Sequence, residues 1–210
     1  MNENQARELI AQLGKSLYDR GLAHGSAGNI SVRLGGALLV TPTNSCLGRL
    51  DPARISRLDS AGKLVFGDGP SKETGLHLSM YRERASATAV VHLHCVHSVA
   101  VSCLSDINRD NVFPPLTPYA LMQVGKLPLV PYYSPGDAEL AEAVARLAGK
   151  HHAVLLANHG PVVAGSSLSA AVNAIEELEQ SAQLMLLLRG LPTQLLTPAQ
   201  VVEINRRFPT

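Results

Sequence analysis

TAVVHLHCVHSVAVSCL, residues 88–104, decides how the rest of the chain is read. Thr88 to Val91 are apolar or β-branched, which suits a strongly apolar strand. Two histidines follow, His92 and His94. Two positions apart on a strand, they point to one face, while Leu93 and Cys95 point to the other. Burying two imidazoles costs free energy unless they find partners, and a metal ion is one good partner. Cys95 therefore reads as core. His97 falls off the histidine face or starts the helix expected over HSVAVSCL.

Working outward, residues 3–20 carry Ala6, Leu9, Ile10, Leu13 and Leu17 at helical spacing. GLAHGSAGNISVR (21–33) has two small-residue turns and runs into a strand. ALLVTP reads as a strand ended by Pro42, Asp51–Pro52 as a helix start, and KLVFGDG as a short strand with a turn. Ser71 is expected to cap a helix through about Glu83, with Leu76 and Met80 inward. PLVPYY is a further short strand. Asp137 caps a helix over ELAEAVARLAG, and HAVLLANHGPVVAG gives two strands around a turn at Asn158–Pro161. A long helix spans Ser167 to Arg189, ended by Gly190 and Pro192, and Thr197–Pro198 start a last one. Strands and helices alternate, yet short turns also join neighbouring strands, which predicts an α/β protein with a mixed sheet between helix layers.

The bulk numbers exclude several classes. A chain of 210 residues, 46% hydrophobic and 17% charged, fits one ordinary globular domain over 1–210. A net charge of +1 provides no field for nucleic acid. Runs such as LMLLL are too short to cross a bilayer. The polar start MNENQARELI lacks the apolar core of a secretory signal. Three cysteines without framework spacing read as reduced thiols, and so as a cytoplasmic protein.

Two more residues join the histidine pair as candidates: Glu73 in PSKETGLH (70–77) and His159 in LLANHGPVV (155–163). Taken singly, His159 reads as a turn histidine and Glu73 as a carboxylate favoured by a helix dipole. Together with His92 and His94 they are the donor set that zinc accepts in a site with an open position. Anion pockets form from backbone N–H groups of small-residue loops and helix starts. Three such places exist: Ser26, Gly28 and Asn29 in GSAGN, Thr43 and Asn44 in TPTN, and Ser71 with Lys72. Tyr119, in LTPYALMQVG, is a phenol able to donate a proton, or simply a packed aromatic.

In series, GLAHGSAGNISVR, TPT, PSKE, VVHLHCVHS, TPY and NHG resemble the class II aldolase/adducin family, over nearly the whole chain. The resemblance implies a three-layer α/β/α sandwich with a central mixed, mostly antiparallel sheet, and a homotetramer with sites between subunits. It implies zinc on His92, His94 and His159, with manganese or cobalt as other occupants of such a site. Glu73 would bind the metal in the empty site and act as acid/base once substrate displaces it. The three loops would form one phosphate pocket, and Tyr119 would serve a neighbouring subunit's site.

Within the family, PSKE together with TPYALMQVGKLPLVPYYSPGD (117–137) is most similar to the 3-oxo-tetronate 4-phosphate decarboxylase subgroup. That implies a phosphorylated sugar-acid substrate, loss of CO2 to leave a zinc-held enediolate, and dihydroxyacetone phosphate as product. Lys72 would pair with the phosphate or the carboxylate, or is simply an exposed lysine. Sugar-phosphate aldolases usually have Ser-Ser-Glu in place of Ser71-Lys72-Glu73, and a C-terminal tyrosine absent here. The pentulose-phosphate 4-epimerases usually have Asp in place of Glu73. An L-fuculose-1-phosphate aldolase-like activity, or the epimerase, is the alternative.

Overall fold

The chain, described over residues 1–208 by a computed structural model, runs as follows. α1 (Glu3–Asp19) leads into β1 (Asn29–Leu34) and β2 (Ala37–Val40). Two short 3-10 turns then precede β3 (Ser56–Leu58), β4 (Leu64–Phe66) and α2 (Thr74–Glu83). Next come β5 (Ala89–His92), α3 (Val96–Ser102), α4 (Pro118–Gln123), β6 (Leu129–Val130) and α5 (Ala138–Ala148). β7 (Ala153–Leu156), β8 (Gly160–Gly165), α6 (Leu168–Leu187) and α7 (Pro198–Arg207) complete it.

All eight strands form one sheet in the order β4-β3-β2-β1-β5-β8-β7-β6. Every neighbouring pair is antiparallel except β6–β7. The period-two alternation sorts the strand side chains onto two faces. Ile30, Val32, Leu39, Val91, Leu155 and Val163 pack with α1, α3 and α6. Leu38, Val40, Val90, Val154 and Val162 pack with α2 and α5. This is the expected three-layer α/β/α sandwich. β5 lies inside the sheet with both faces covered, so its four residues are all buried, which is why it reads as an uninterrupted apolar run.

The helices follow their apolar stripes. In α5, Leu140, Ala143, Val144 and Ala148 are buried on one side, the spacing of an amphipathic helix. Each large side chain so buried contributes about 1.5–3 kcal/mol, and a charge at Val144 would unseat the helix. Asp137 accepts from the Glu139 N–H, and Ser167 from the Ala170 N–H, so both expected caps form. α6 ends at Leu187 rather than Arg189, and Gly190 follows at φ 77°. The helix expected at Asp51–Pro52 is only a 3-10 turn, Pro52–Arg54.

The start of α2 differs from expectation. Its N-cap is Glu73, whose side chain makes no capping bond. Ser71 lies two residues too early, where its Oγ accepts from the Glu73 N–H at 3.3 Å and its carbonyl accepts from the Thr74 hydroxyl at 2.6 Å. The chain gives up a capping carboxylate so that Glu73 can turn toward β5. No helix among the described residues is long and apolar enough to cross a membrane.

Candidate metal centre

The fold brings Glu73, His92, His94 and His159 together from three places in the chain. The β5 ladder stops at His92, and His94 continues in the same alternation just beyond it. His159 comes from the β7–β8 turn, where Asn158 adopts the left-handed region at φ 58°, a conformation asparagine tolerates well. Gly160 follows at φ 142°, and a Cβ there would collide with the Leu93 carbonyl oxygen. That close approach sets His159 against the end of β5. On the other side, Gly28 has φ 83°, and a Cβ there would lie 2.9 Å from the His92 carbonyl oxygen.

One ligand atom from each of the four side chains lies within 4.8 Å of the others. His92 Nε2 is 3.1 Å from His94 Nε2 and 3.4 Å from His159 Nε2. Glu73 Oε2 is 3.5 Å from His92 Nε2, and Glu73 Oε1 is 3.2 Å from His159 Nε2. A tetrahedral ion with bonds of about 2.0–2.1 Å has donor–donor edges of roughly 3.3 Å; these four spacings match that edge, and the wider pairs of the cluster would draw in around the ion. The His92 Nδ1–H donates to the Pro161 carbonyl at 2.8 Å. That bond fixes the tautomer and leaves the Nε2 lone pair facing the cluster. Glu73 Oε1 is buried without a hydrogen-bond partner, an orphan that a cation would satisfy.

The electrostatics agree. Burial pushes the His92 imidazole down to about 4, against the pull of Glu73, and burial lowers His94 as well. Neutral imidazoles are the form a metal needs. Burial alone would raise the Glu73 carboxyl, but His159, His92 and Asn29 together hold it well below the usual carboxylate range. The donor set thus fits a divalent metal.

Two of the three expected anion loops, around Thr43 and Ser71, lie side by side. The Thr43 N–H donates to the Gly69 carbonyl, the Ser71 N–H to the Thr41 carbonyl, and Pro42 bridges Pro70. Those same bonds correct one expectation: the amides of Thr43 and Ser71 already serve the loops, which leaves side-chain hydroxyls and other amides for an anion. Asn44 sits at φ 56°; Ser26, Asn44 and Lys72 are exposed, and Thr43 half-buried. Asn29 departs further. Its Nδ2 donates to Glu73 Oε2 at 2.7 Å, and its Oδ1 meets His77 Nε2, so its side chain is engaged within the protein. A cavity of about 290 Å³ opens beside Glu73, lined by Lys72, Gly136 and Asp137 among others. A larger one, about 410 Å³, lies at the far end of β7 around Lys126, Lys150, His151 and His152, away from this chemistry.

Tyr119 does not join the cluster. It is 60% exposed on α4, which packs on α6 and α7. Cys95 is buried in the opposite core, its thiol on the Leu22 carbonyl. His97 pairs with Glu179 instead of the centre. Sequence reasoning missed His77, which is fully buried, and Glu179. His77 had a signal: it stands four residues after Glu73, on the same side of one helix.

Comparison with known proteins agrees with this geometry. A family model described as Class II Aldolase and Adducin N-terminal domain matches residues 8–186. A 3-oxo-tetronate 4-phosphate decarboxylase of Escherichia coli (strain K12) is 48% identical over 204 residues, covering 97% of this chain and 96% of that protein. An L-fuculose phosphate aldolase of Methanocaldococcus jannaschii is 38% identical, covering 86% of this chain and 96% of its own. The crystal structure of YgbL from Escherichia coli superposes with a TM-score of 0.94 at 47% identity, covering 96% of this chain and 98% of that one.

Proposed function

The chain belongs to the class II aldolase and adducin family, and on that footing we propose that it is a lyase converting 3-oxo-tetronate 4-phosphate to dihydroxyacetone phosphate and CO2. The convergence of three imidazole nitrogens on a buried carboxylate oxygen without a partner carries this reading. The substrate class follows the name of relatives nearly half identical over almost the full length. His92, His94 and His159 would hold zinc, with Glu73 as fourth ligand until substrate arrives. Bound there, a divalent metal supplies Lewis-acid polarisation of the substrate's ketone oxygen.

The protein's own groups do the rest. The ketone is β to the carboxylate, so the electron pair released with CO2 delocalises onto the ketone oxygen. The carbon that loses CO2 must then gain a proton; Glu73, freed by substrate, would take one up from solvent and deliver it from Oε1 while Asn29 holds Oε2. Tyr119, exposed on its own subunit, is the second proton donor, reaching the site of a neighbour in a homotetramer. Ser26, Gly28, Thr43, Asn44 and Ser71 form the phosphate pocket. Lys72, exposed and lining the cavity beside Glu73, pairs with the substrate's carboxylate or phosphate. The reaction belongs to sugar-acid breakdown in the cytoplasm.

The test is direct. Zinc-loaded protein is given 3-oxo-tetronate 4-phosphate, and dihydroxyacetone phosphate is followed with a coupled reductase. Rapid product formation, abolished by a chelator and restored by zinc, is the expected result. No product from protein carrying one metal per chain would refute decarboxylation and point to aldol cleavage of a ketose phosphate, the activity named for the 38% identical relative.

A further inference from the structure

Behind Glu73 runs a buried line of hydrogen bonds whose proton direction can be deduced from one end. A carboxylate only accepts, so Asn29 presents its amide nitrogen to Oε2, at 2.7 Å. The Asn29 carbonyl Oδ1 is thereby turned toward His77 Nε2, which must carry a proton to donate. His77 is fully buried between α2 and β1, and burial pushes its imidazole down to about 3. A neutral ring with its proton on Nε2 has an acceptor at Nδ1. The Ser31 hydroxyl, 2.7 Å away, donates to it. The Tyr81 hydroxyl, 2.8 Å from Ser31 Oγ and 3.1 Å from the Ser31 carbonyl, donates in turn. Every donor in the line points toward Glu73. Reversing one member would aim the Asn29 carbonyl oxygen at the carboxylate.

We propose that His77 and Asn29 are positioning residues for Glu73: His77, locked as the Nε2–H tautomer, orients the Asn29 amide so that it ties down Oε2 and leaves Oε1 free toward the three imidazoles. The inference rests on the reading of Glu73 as metal ligand and proton carrier. It also gives Asn29 a role other than phosphate binding, because both polar atoms of its side chain are engaged inside the protein. The geometry follows from periodicity. His77 is one turn after Glu73 on α2, and Asn29 and Ser31 share one face of β1.

Three variants of the full chain test it: His77→Gln, which can place an amide N–H near the Nε2 position, His77→Leu and Asn29→Ala. His77→Leu and Asn29→Ala should each lower kcat and cobalt affinity by about ten- to a hundredfold, with KM within about threefold of the parent. Their cobalt absorption spectra should change, because the carboxylate is no longer held. His77→Gln should recover most of each loss, which a merely space-filling role does not predict. In the metal-free parent, nitrogen-15 spectra of labelled imidazole should show His77 neutral with its proton on Nε2. A proton on Nδ1 would overturn the proposal. So would a folded His77→Leu protein with parental cobalt affinity and spectrum. An Asn29→Ala protein with raised KM but intact kcat and cobalt affinity would return Asn29 to the phosphate. Should His77→Leu fail to fold, Asn29→Ala and the tautomer spectrum decide between these outcomes. Cobalt affinity and tautomer are read without substrate, so a parent enzyme that forms no dihydroxyacetone phosphate sinks the decarboxylase reading alone.

Discussion

Two glutamates, Glu179 buried and Glu73 half-buried, meet histidines on opposite faces of the same sheet, and they are built in opposite ways. Glu179, on α6, is 7% exposed. Its Oε1 accepts from the His97 N–H and from His97 Nδ1, and its Oε2 from the Ser98 N–H, each at 2.8 Å. Both oxygens are satisfied, and the carboxylate serves as a cap for α3 supplied by another helix. Glu73, at the start of α2, has one oxygen on Asn29 and the other with no partner. The residue types are the same. One cluster is closed and holds the fold together; the other is left incomplete in a place where a cation fits. A native protein keeps such an orphan where a ligand will complete it.

The largest effect that can break this contrast is loss of an imidazole from the open cluster. His92→Ala should lower turnover by more than a thousandfold, about 4 kcal/mol of transition-state stabilisation, and abolish stoichiometric metal binding in the same step. Metal analysis and the coupled assay read both. Retained turnover would mean that the open cluster is only another structural one. Next in size is Tyr119, because the open cluster is expected to draw on a neighbouring chain while the closed one is complete within its own. Tyr119→Phe should cost about a hundredfold in kcat. Mixing the impaired Tyr119→Phe and Glu73→Gln subunits by reassembly should restore full activity at about a quarter of the sites in a cyclic tetramer. No recovery would place Tyr119 outside the site.

A smaller effect should fall on the closed cluster. Glu179→Ala strips three donors at the start of α3 of their acceptor, at a cost of about 1–3 kcal/mol for each group left buried and unpaired. Its signature should be a lower midpoint in denaturant with cobalt affinity unchanged at the centre. Equal damage to both would show that the two clusters are coupled through β5.

How much of this was legible depended on range. His92 and His94 could be read locally, because alternation along β5 sends both to one side, and the apolar run AVV before them reads as a strand, which the structure buries at all four of its residues. The start of α2 was placed too early because Ser71 is a better cap by propensity than Glu73. The tertiary demand for a carboxylate at the centre overrode it. Asn29 was assigned to a phosphate loop on its small-residue setting, but its partner His77 is 48 positions away, beyond any local pattern. Glu179 is 82 positions from the helix start it caps, and within α6 it looks like one more polar residue. The metal motif was visible; the residues that hold it in place were not, since they are defined by contacts and not by spacing.

Acid stability probes the open cluster most finely. In the metal-free protein, burial depresses His77 to about 3 and His92 to about 4, so both stay neutral in the fold where an unfolded chain would protonate them. Below about pH 6.5 the unfolded state therefore binds more protons than the native one, and stability falls as pH falls. The loss begins near pH 6.5 and continues until the folded groups titrate, at about 4 for His92 and about 3 for His77. Each contributes a slope of about 1.4 kcal/mol per pH unit once the unfolded group is fully charged. Urea titrations of the metal-free protein between pH 7 and about 4.5 should show that fall. His77→Gln should remove one such slope while leaving the rest. An unchanged slope in His77→Gln would mean that His77 takes up a proton in the native state, and the one-way line of donors behind Glu73 could not then exist.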